Sequence, residues 1–164
     1  MPISEYLKNL RRKIGNDLIM MPAVSAIIIN DADEVLLHRS TDDGNWYVIG
    51  GSAEPDEEPA LGAVREALEE TGLIVTPTRL VGVYLDGYRK YPNGDEVTYT
   101  TMVFRCRPIG GELKVADDES LEVRYFRREQ LPPLQPVQRL KVEHAYDQTR
   151  EPYFAWNEAW LKNL

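Results

Sequence analysis

The sequence has a single cysteine, Cys106, so no disulfide can form within the chain. A fold of this size must then close on an apolar core of its own, and the lone thiol fits a reducing, cytoplasmic setting. Histidine is equally scarce: His38 and His144 are the two present, neither stands at a metal-ligand spacing, and both read as surface or hydrogen-bonded core residues. No apolar run approaches the roughly 18 residues that cross a bilayer, and the basic residues near the N-terminus are scattered through a helix-like pattern instead of preceding an apolar block. The sequence therefore predicts neither a signal peptide nor a membrane anchor. Positive charge is in short supply, with 19 Lys and Arg against 27 Asp and Glu and a net charge of −8. That balance argues against bulk nucleic acid or an anionic membrane as the primary partner. Repeats and low-complexity tracts are absent as well. What is present is 164 residues, 43% hydrophobic and 28% charged, the profile of a single folded domain.

Along the chain, Ser4 reads as a helix cap, Tyr6, Leu7, Leu10 and Ile14 fall at helical spacing, and Gly15 reads as the stop, giving an N-terminal helix over about 3–14. Val24 to Asn30 and Val35 to Ser40 are β-rich runs that predict a hairpin about Asp31 to Glu34. A second helix is predicted from Pro59 to Thr71, stopped by Gly72. Next come Leu73 to Val75, a strand near Arg79 to Asp86, a turn at Asn93-Gly94 and a strand near Val97 to Arg107, the last two strands pairing antiparallel across the Asn-Gly turn. Gly110-Gly111 is expected to break the chain before a strand near Leu121 to Phe126. Helices are predicted over about 134–163, the last of them aromatic-rich from Pro152 to Leu161. Strands and helices without strict alternation predict an α+β fold, an α/β/α sandwich on a mixed β-sheet.

The chemistry concentrates in Gly51 to Leu73, GSAEPDEEPALGAVREALEETGL. On a wheel of about 100° per residue, Leu61, Val64, Ala67 and Leu68 form the predicted buried stripe, while Glu66, Glu69 and Glu70 crowd the other side. Like charges at that spacing cost roughly 0.2–0.5 kcal/mol each, and anions in a helix's last turn cost roughly 0.3–1 kcal/mol more. From three glutamates alone, a solvated acidic face explains the pattern. A hard cation is the other explanation, because magnesium or manganese takes oxygen ligands and offsets the negative charge. The residues upstream favour the cation: Gly50-Gly51 and the acidic loop Glu54-Pro55-Asp56-Glu57 lead into the helix, so backbone carbonyls and Glu57 can close over one ion, and Arg65 can hold a carboxylate in a forked hydrogen bond.

The spacing of Gly51, Glu57, Arg65-Glu66, Glu69-Glu70, Gly72 and a following aliphatic resembles the Nudix box of the MutT-like Nudix hydrolase superfamily at every fixed position. Seven such identities coincide by chance about once in 10⁸ windows. The order of elements extends the resemblance over roughly residues 20 to 130, with the N-terminal and C-terminal helices as additions to one Nudix domain spanning 1–164. Trp46 to Gly51 is similar to the family's entry to the box, although Ile49 stands where proline is usual and Asp56 where glycine is common. The resemblance implies a soluble enzyme that hydrolyses a nucleoside diphosphate linked to another group, by water attack on phosphorus, with Mg2+ or Mn2+ as cofactor. It implies Glu66, Glu69, Glu70 and the Gly51 carbonyl as metal ligands, with Arg65 orienting a helix carboxylate. Glu119, in the acidic run before the late strand, is its implied general base, with Glu66 the competing assignment and a solvated loop acid the plain alternative for Glu119.

Substrate contacts are expected from Arg39, which could otherwise be a surface ion-pair partner, and from Trp46 and Tyr47, which could stack a base or cap the core. Tyr91, eighteen residues beyond Leu73, resembles in placement a tyrosine of the superfamily's dinucleoside polyphosphate hydrolases. The aromatic tail of Tyr153, Phe154, Trp156 and Trp160 is expected to form a helix packed on the sheet or on a second subunit, and a homodimer is what many relatives form. Three rival readings fit the residues less well. A calcium loop at Asp31 to Asp33 lacks its later oxygen ligands and glycine. A prenyl diphosphate isomerase on the same fold would need an active-site cysteine, and Cys106 has no such context. A noncatalytic Nudix-fold nucleotide-binding module would be expected to have lost carboxylates from the box, and none is missing.

Overall fold

A computed structural model describes residues 4–163. In order, the elements are α1 (Glu5–Ile14), β1 (Ile19–Ile28), β2 (Glu34–Ser40), β3 (Trp46–Tyr47), β4 (Ile49–Ser52), α2 (Pro59–Thr71), β5 (Leu73–Lys90), β6 (Glu96–Gly111), β7 (Ser120–Arg127), a 3-10 turn (Arg128–Gln130), α3 (Pro136–Tyr146) and a closing 3-10 turn (Glu158–Asn163). They build the α+β sandwich that the sequence predicts. A four-stranded mixed sheet, order β4-β1-β6-β5, carries α2 on one face, and a three-stranded antiparallel sheet, order β3-β2-β7, lies with α3 toward the other.

The run VSAIII in β1 is apolar on both sides because both sides are buried. Val24, Ala26 and Ile28 pack toward α2 with Ile49, Ala63 and Ala67, whereas Ile27 and Ile29 pack with Val35, Leu37, Val81 and Val142 on the α3 side. One sheet thus has two cores, and its residues alternate between them.

Three expectations fail in instructive ways. β1 and β2 do meet at a tight turn, in which Asn30 Oδ1 accepts from the amides of Ala32 and Glu34 and the Asn30 amide donates to the Glu34 carbonyl, but beyond the turn they form an isolated bridge, Ile29 to Val35, and no ladder. Both edges of β1 are already taken, by β4 antiparallel and by β6 in a parallel register from Ile19–Val97 to Ile28–Cys106, so β2 turns into the second sheet. Gly110 and Gly111 do not break the chain before the last strand but pair with Ile74 and Leu73, so that β5 and β6 form one long bulged ribbon. The aromatic tail is not a fourth α-helix. Tyr153 donates its amide to the Val81 carbonyl and accepts from the Val83 amide, and its ring stacks on Tyr84 at 4.8 Å, so the edge of β5 holds this segment extended. Gly82 makes that approach possible, since a Cβ there would lie 2.4 Å from the Tyr153 carbonyl oxygen. Phe154, Trp156 and Trp160 remain exposed. Among the described residues, no helix is long and apolar enough to cross a membrane.

Candidate functional site

Helix α2 starts at Pro59 and ends at Gly72, which adopts the left-handed conformation and donates its amide to the Leu68 carbonyl. Its buried face is Gly62, Ala63, Glu66, Ala67, Glu70 and Thr71, whereas Leu61 and Leu68 are 63% and 49% exposed. The stripe read from the wheel is therefore wrong for its two leucines. Small residues let α2 approach β1 closely: a Cβ on Gly62 would lie 3.3 Å from Val24 Cγ2 and 2.8 Å from Glu57 Oε2. That approach carries two of the three glutamates inward, leaving Glu66 with no exposure and Glu70 with 5%.

Around these carboxylates the entry loop is built to fit. The Gly50 amide donates to Glu70 Oε1 at 3.2 Å, and a Cβ on Gly51 would fall 2.6 Å from Glu66 Oε1. Arg65 donates a fork to Glu57, Nε to Oε1 at 2.9 Å and Nη2 to Oε2 at 3.0 Å, and also reaches the Ser52 carbonyl. Its Nη1 donates to Glu66 Oε1 at 2.8 Å and to Glu69 Oε2 at 3.3 Å. Glu57 thus spends both oxygens anchoring Arg65. Glu66 Oε2 and Glu70 Oε2 are buried and, among the described residues, have no hydrogen-bond partner. Burial pushes Glu66 up to about 7, although Arg65 opposes the shift, and burial with the neighbouring Glu66 raises Glu70 well above the usual carboxylate range. Among the described residues, no three acidic, histidine or cysteine side chains converge as a ready-made metal cluster.

The loop of residues 112–119 folds over the end of α2, the Lys114 and Ala116 amides donating to the Thr71 and Glu70 carbonyls. Between loop and helix lies a cavity of about 760 Å³, bordered by Arg65, Glu69, Lys114, Asp117 and Asp118. Glu119 lies on this loop, exposed, with its carbonyl accepting from the Thr41 amide and hydroxyl. Asp117, which the sequence reading did not single out, is the loop acid whose charge acts on both His38 and Glu70. His38, expected at the surface or hydrogen-bonded in the core, is hydrogen-bonded and lies beside the glutamates. Its Nδ1 is hydrogen-bonded to Ser120 Oγ at 3.0 Å and stands 3.9 Å from Glu70 Oε2, and burial lowers its pKa. Only pairing of β2 with β7 brings these residues together, and no local spacing encodes that.

The expected substrate contacts divide. Trp46 packs edge-on against Phe126 at 4.8 Å and joins the α3-side core, so it caps the core. Arg39 donates Nε to the Gly44 carbonyl in the β2–β3 turn. Tyr47 lies beside His38, ring centroids 6.0 Å apart, and Tyr91 is hydrogen-bonded through its hydroxyl to Tyr99. Arg89 comes over both of these tyrosine rings.

Comparison with known proteins gives the family and the fold. A model of the NUDIX domain family matches residues 20–146. A MutT-like protein of Streptomyces ambofaciens is 33% identical over 98 residues, 60% of this chain and 58% of that protein. An ADP-ribose pyrophosphatase of Methanocaldococcus jannaschii is 38% identical over 114 residues, 68% of this chain and 64% of that one. The chain thus spans about six-tenths of the length of these curated relatives. Among solved structures, an ADP-ribose pyrophosphatase from Streptococcus suis superposes with a TM-score of 0.64 at 26% identity, covering 82% of this chain and 96% of that one.

Proposed function

Because the chain belongs to the NUDIX domain family, we propose that it is a metal-dependent hydrolase that cleaves the diphosphate bond of a nucleoside diphosphate linked to another group. The observation that carries this reading is the pair of buried, partnerless oxygens Glu66 Oε2 and Glu70 Oε2. Two neighbouring buried carboxylates with Arg65 on one oxygen of Glu66 as their paired cation among the described residues are costly, and their chemistry suits a hard divalent ion, which accepts one or two carboxylates and completes its shell with water and phosphate oxygens. Glu66 and Glu70 would hold it, with Glu69 and the Gly51 carbonyl as further ligands. Mg2+ or Mn2+ in that place supplies charge for the phosphate oxygens and an acidified water.

The chain's own groups do the positioning. Arg65 fixes Glu66 through Oε1, and Glu57, the expected ligand, acts instead through Arg65 by holding its fork. The Gly50 amide fixes Glu70 in the same way. Glu119 is the proposed base that takes a proton from the attacking water, with Glu66 as its rival and Asp117 added by its position opposite Glu70.

A panel of ADP-ribose, a nucleotide sugar, a dinucleoside polyphosphate and a nucleoside triphosphate, assayed with Mg2+ and with Mn2+, tests the reading. Glu70→Gln is expected to lower turnover by more than about a hundredfold, and loss of the base by about 10²–10⁴-fold. Unchanged turnover in Glu66→Gln and Glu70→Gln would remove the ligand assignment, and a wild-type protein that binds nucleotides without cleaving any of them would be a binding module.

A further inference from the structure

A line of close contacts leads outward from Glu70. His38 Nδ1 is 3.9 Å from Glu70 Oε2, the rings of His38 and Tyr47 are 6.0 Å apart, and Arg89 Cζ stands 5.9 Å from the centre of the Tyr47 ring and 5.7 Å from that of Tyr91. The line crosses from the three-stranded sheet, which carries His38 and Tyr47, to the end of the β5–β6 ribbon, which carries Arg89 and Tyr91. Both rings are tied down. Tyr47 Oη donates to Asp43 Oδ2 at 2.6 Å, and the hydroxyls of Tyr91 and Tyr99 are 2.8 Å apart.

The guanidinium between them is differently placed from the other arginines near the site. Arg65 spends its donors on Glu57, Glu66, Glu69 and the Ser52 carbonyl, and Arg39 gives its Nε to Gly44. Among the described residues, no carboxylate lies within ion-pair distance of Arg89. The acid that senses its charge, Asp43, is already engaged by the Tyr47 hydroxyl and by the Asn45 amide and side chain. The two rings flank an exposed cation that also interacts with the Tyr91 hydroxyl, and a guanidinium held so, with more donors than one hydroxyl can take, suits the forked recognition of a phosphate. With the guanidinium over both rings, neither of those faces is open for a base to stack on.

We propose that Arg89, set between the rings of Tyr47 and Tyr91, binds a phosphate carried by the far half of the substrate, the half joined through the diphosphate to the nucleoside. The assignment rests on the hydrolase reading for its place in the reaction, and it names the substrate class: compounds whose far half is anionic are preferred over those whose far half is a neutral sugar.

ATP and ADP-ribose test this, because they share the ADP half and differ in carrying a terminal phosphate or a ribose beyond it. In Arg89→Gln, KM for ATP is expected to rise roughly tenfold or more, as for a lost hydrogen bond to a charged group. KM for ADP-ribose should stay within about twofold, because that compound offers the guanidinium no phosphate. Arg89→Lys is expected to recover part of the ATP effect, since charge survives and the fork does not. Equal rises for both compounds, or no rise for either, would overturn the assignment. Calorimetric titration of the same two compounds, with Mg2+ present, reads the same preference without turnover. A wild type that cleaves neither compound leaves the hydrolase reading to the rest of the panel, and Arg89 is still judged by whether Arg89→Gln abolishes tighter binding of ATP.

Discussion

Two buried charge clusters lie on opposite faces of the four-stranded sheet, and they are solved differently. On the α3 side, Lys141 is 1% exposed, and its Nζ lies 2.7 and 2.8 Å from the two carboxylate oxygens of Asp86, which also accepts the Thr101 hydroxyl. Burial pulls the Lys141 pKa down, and Asp86 pulls it back. On the α2 side, Glu66 and Glu70 are as deeply buried and, once ionised, bear charge of the same sign, with one oxygen of each without a hydrogen-bond partner among the described residues. Opposite charges brought together complete their own electrostatics, whereas like charges brought together need a counter-charge from outside the chain. Burial alone therefore does not mark a site; burial with the wrong sign of neighbour does.

The largest effect expected is on the completed cluster. Lys141→Met leaves Asp86 without its cation and should lower unfolding stability by about 3–5 kcal/mol in urea titration, with Asp86→Asn in the same chain restoring much of the loss. A Lys141→Met protein as stable as wild type would erase the contrast. The second effect runs the other way. Glu66→Gln removes a buried acid whose folded pKa of about 7 lies above its ordinary 4.5. The folded state holds that proton longer, so the contribution of Glu66 is fully present below about 4.5 and is lost as pH rises through about 7. Measured in EDTA across that window, stability should shift in favour of the variant by on the order of 3 kcal/mol as pH rises. Adding Mn2+ should reverse the order, raising the wild-type Tm and leaving the variant's nearly fixed. A pH-independent difference between the two proteins would mean that Glu66 is charged and compensated already.

The same contrast explains what could be read in the sequence. The ends of α2 were legible at Pro59 and Gly72, and so was the box that carries Arg65, Glu66, Glu69 and Glu70, because caps and i, i+3, i+4 spacing are local. Which face of α2 turns inward was not legible. The wheel ranks residues by hydrophobicity and favours Leu61 and Leu68, but close contact with β1 selects Gly62, Ala63 and Ala67 and carries Glu66 and Glu70 in with them. The place of His38 and Asp117 beside Glu70 was not legible because β2–β7 pairing, not spacing, brings them there. The tail was misread for a similar reason: its aromatic content resembles a helix face, yet the open edge of β5 takes the Tyr153 backbone first.

The smallest effect is the control for the comparison. Arg139 and Glu143 sit on the same helix as Lys141, with Nη1 and Oε1 3.9 Å apart and both side chains 46% exposed. An ion pair at that separation in water gains little Coulomb energy and costs side-chain entropy, so Arg139→Ala should change stability by no more than about 0.5 kcal/mol, and less at high salt. Lys141 and Arg139 differ by two positions in α3 and by the medium around their charges. If the two substitutions cost alike, helix propensity or net charge governs α3, and burial loses its standing as the variable that separates the two clusters. If Arg139→Ala is nearly silent while Lys141→Met is severe, the low dielectric around a buried charge decides the outcome. The glutamates on the other face of the sheet must then obey that rule with Arg65, on one oxygen of Glu66, as the guanidinium that reaches them among the described residues.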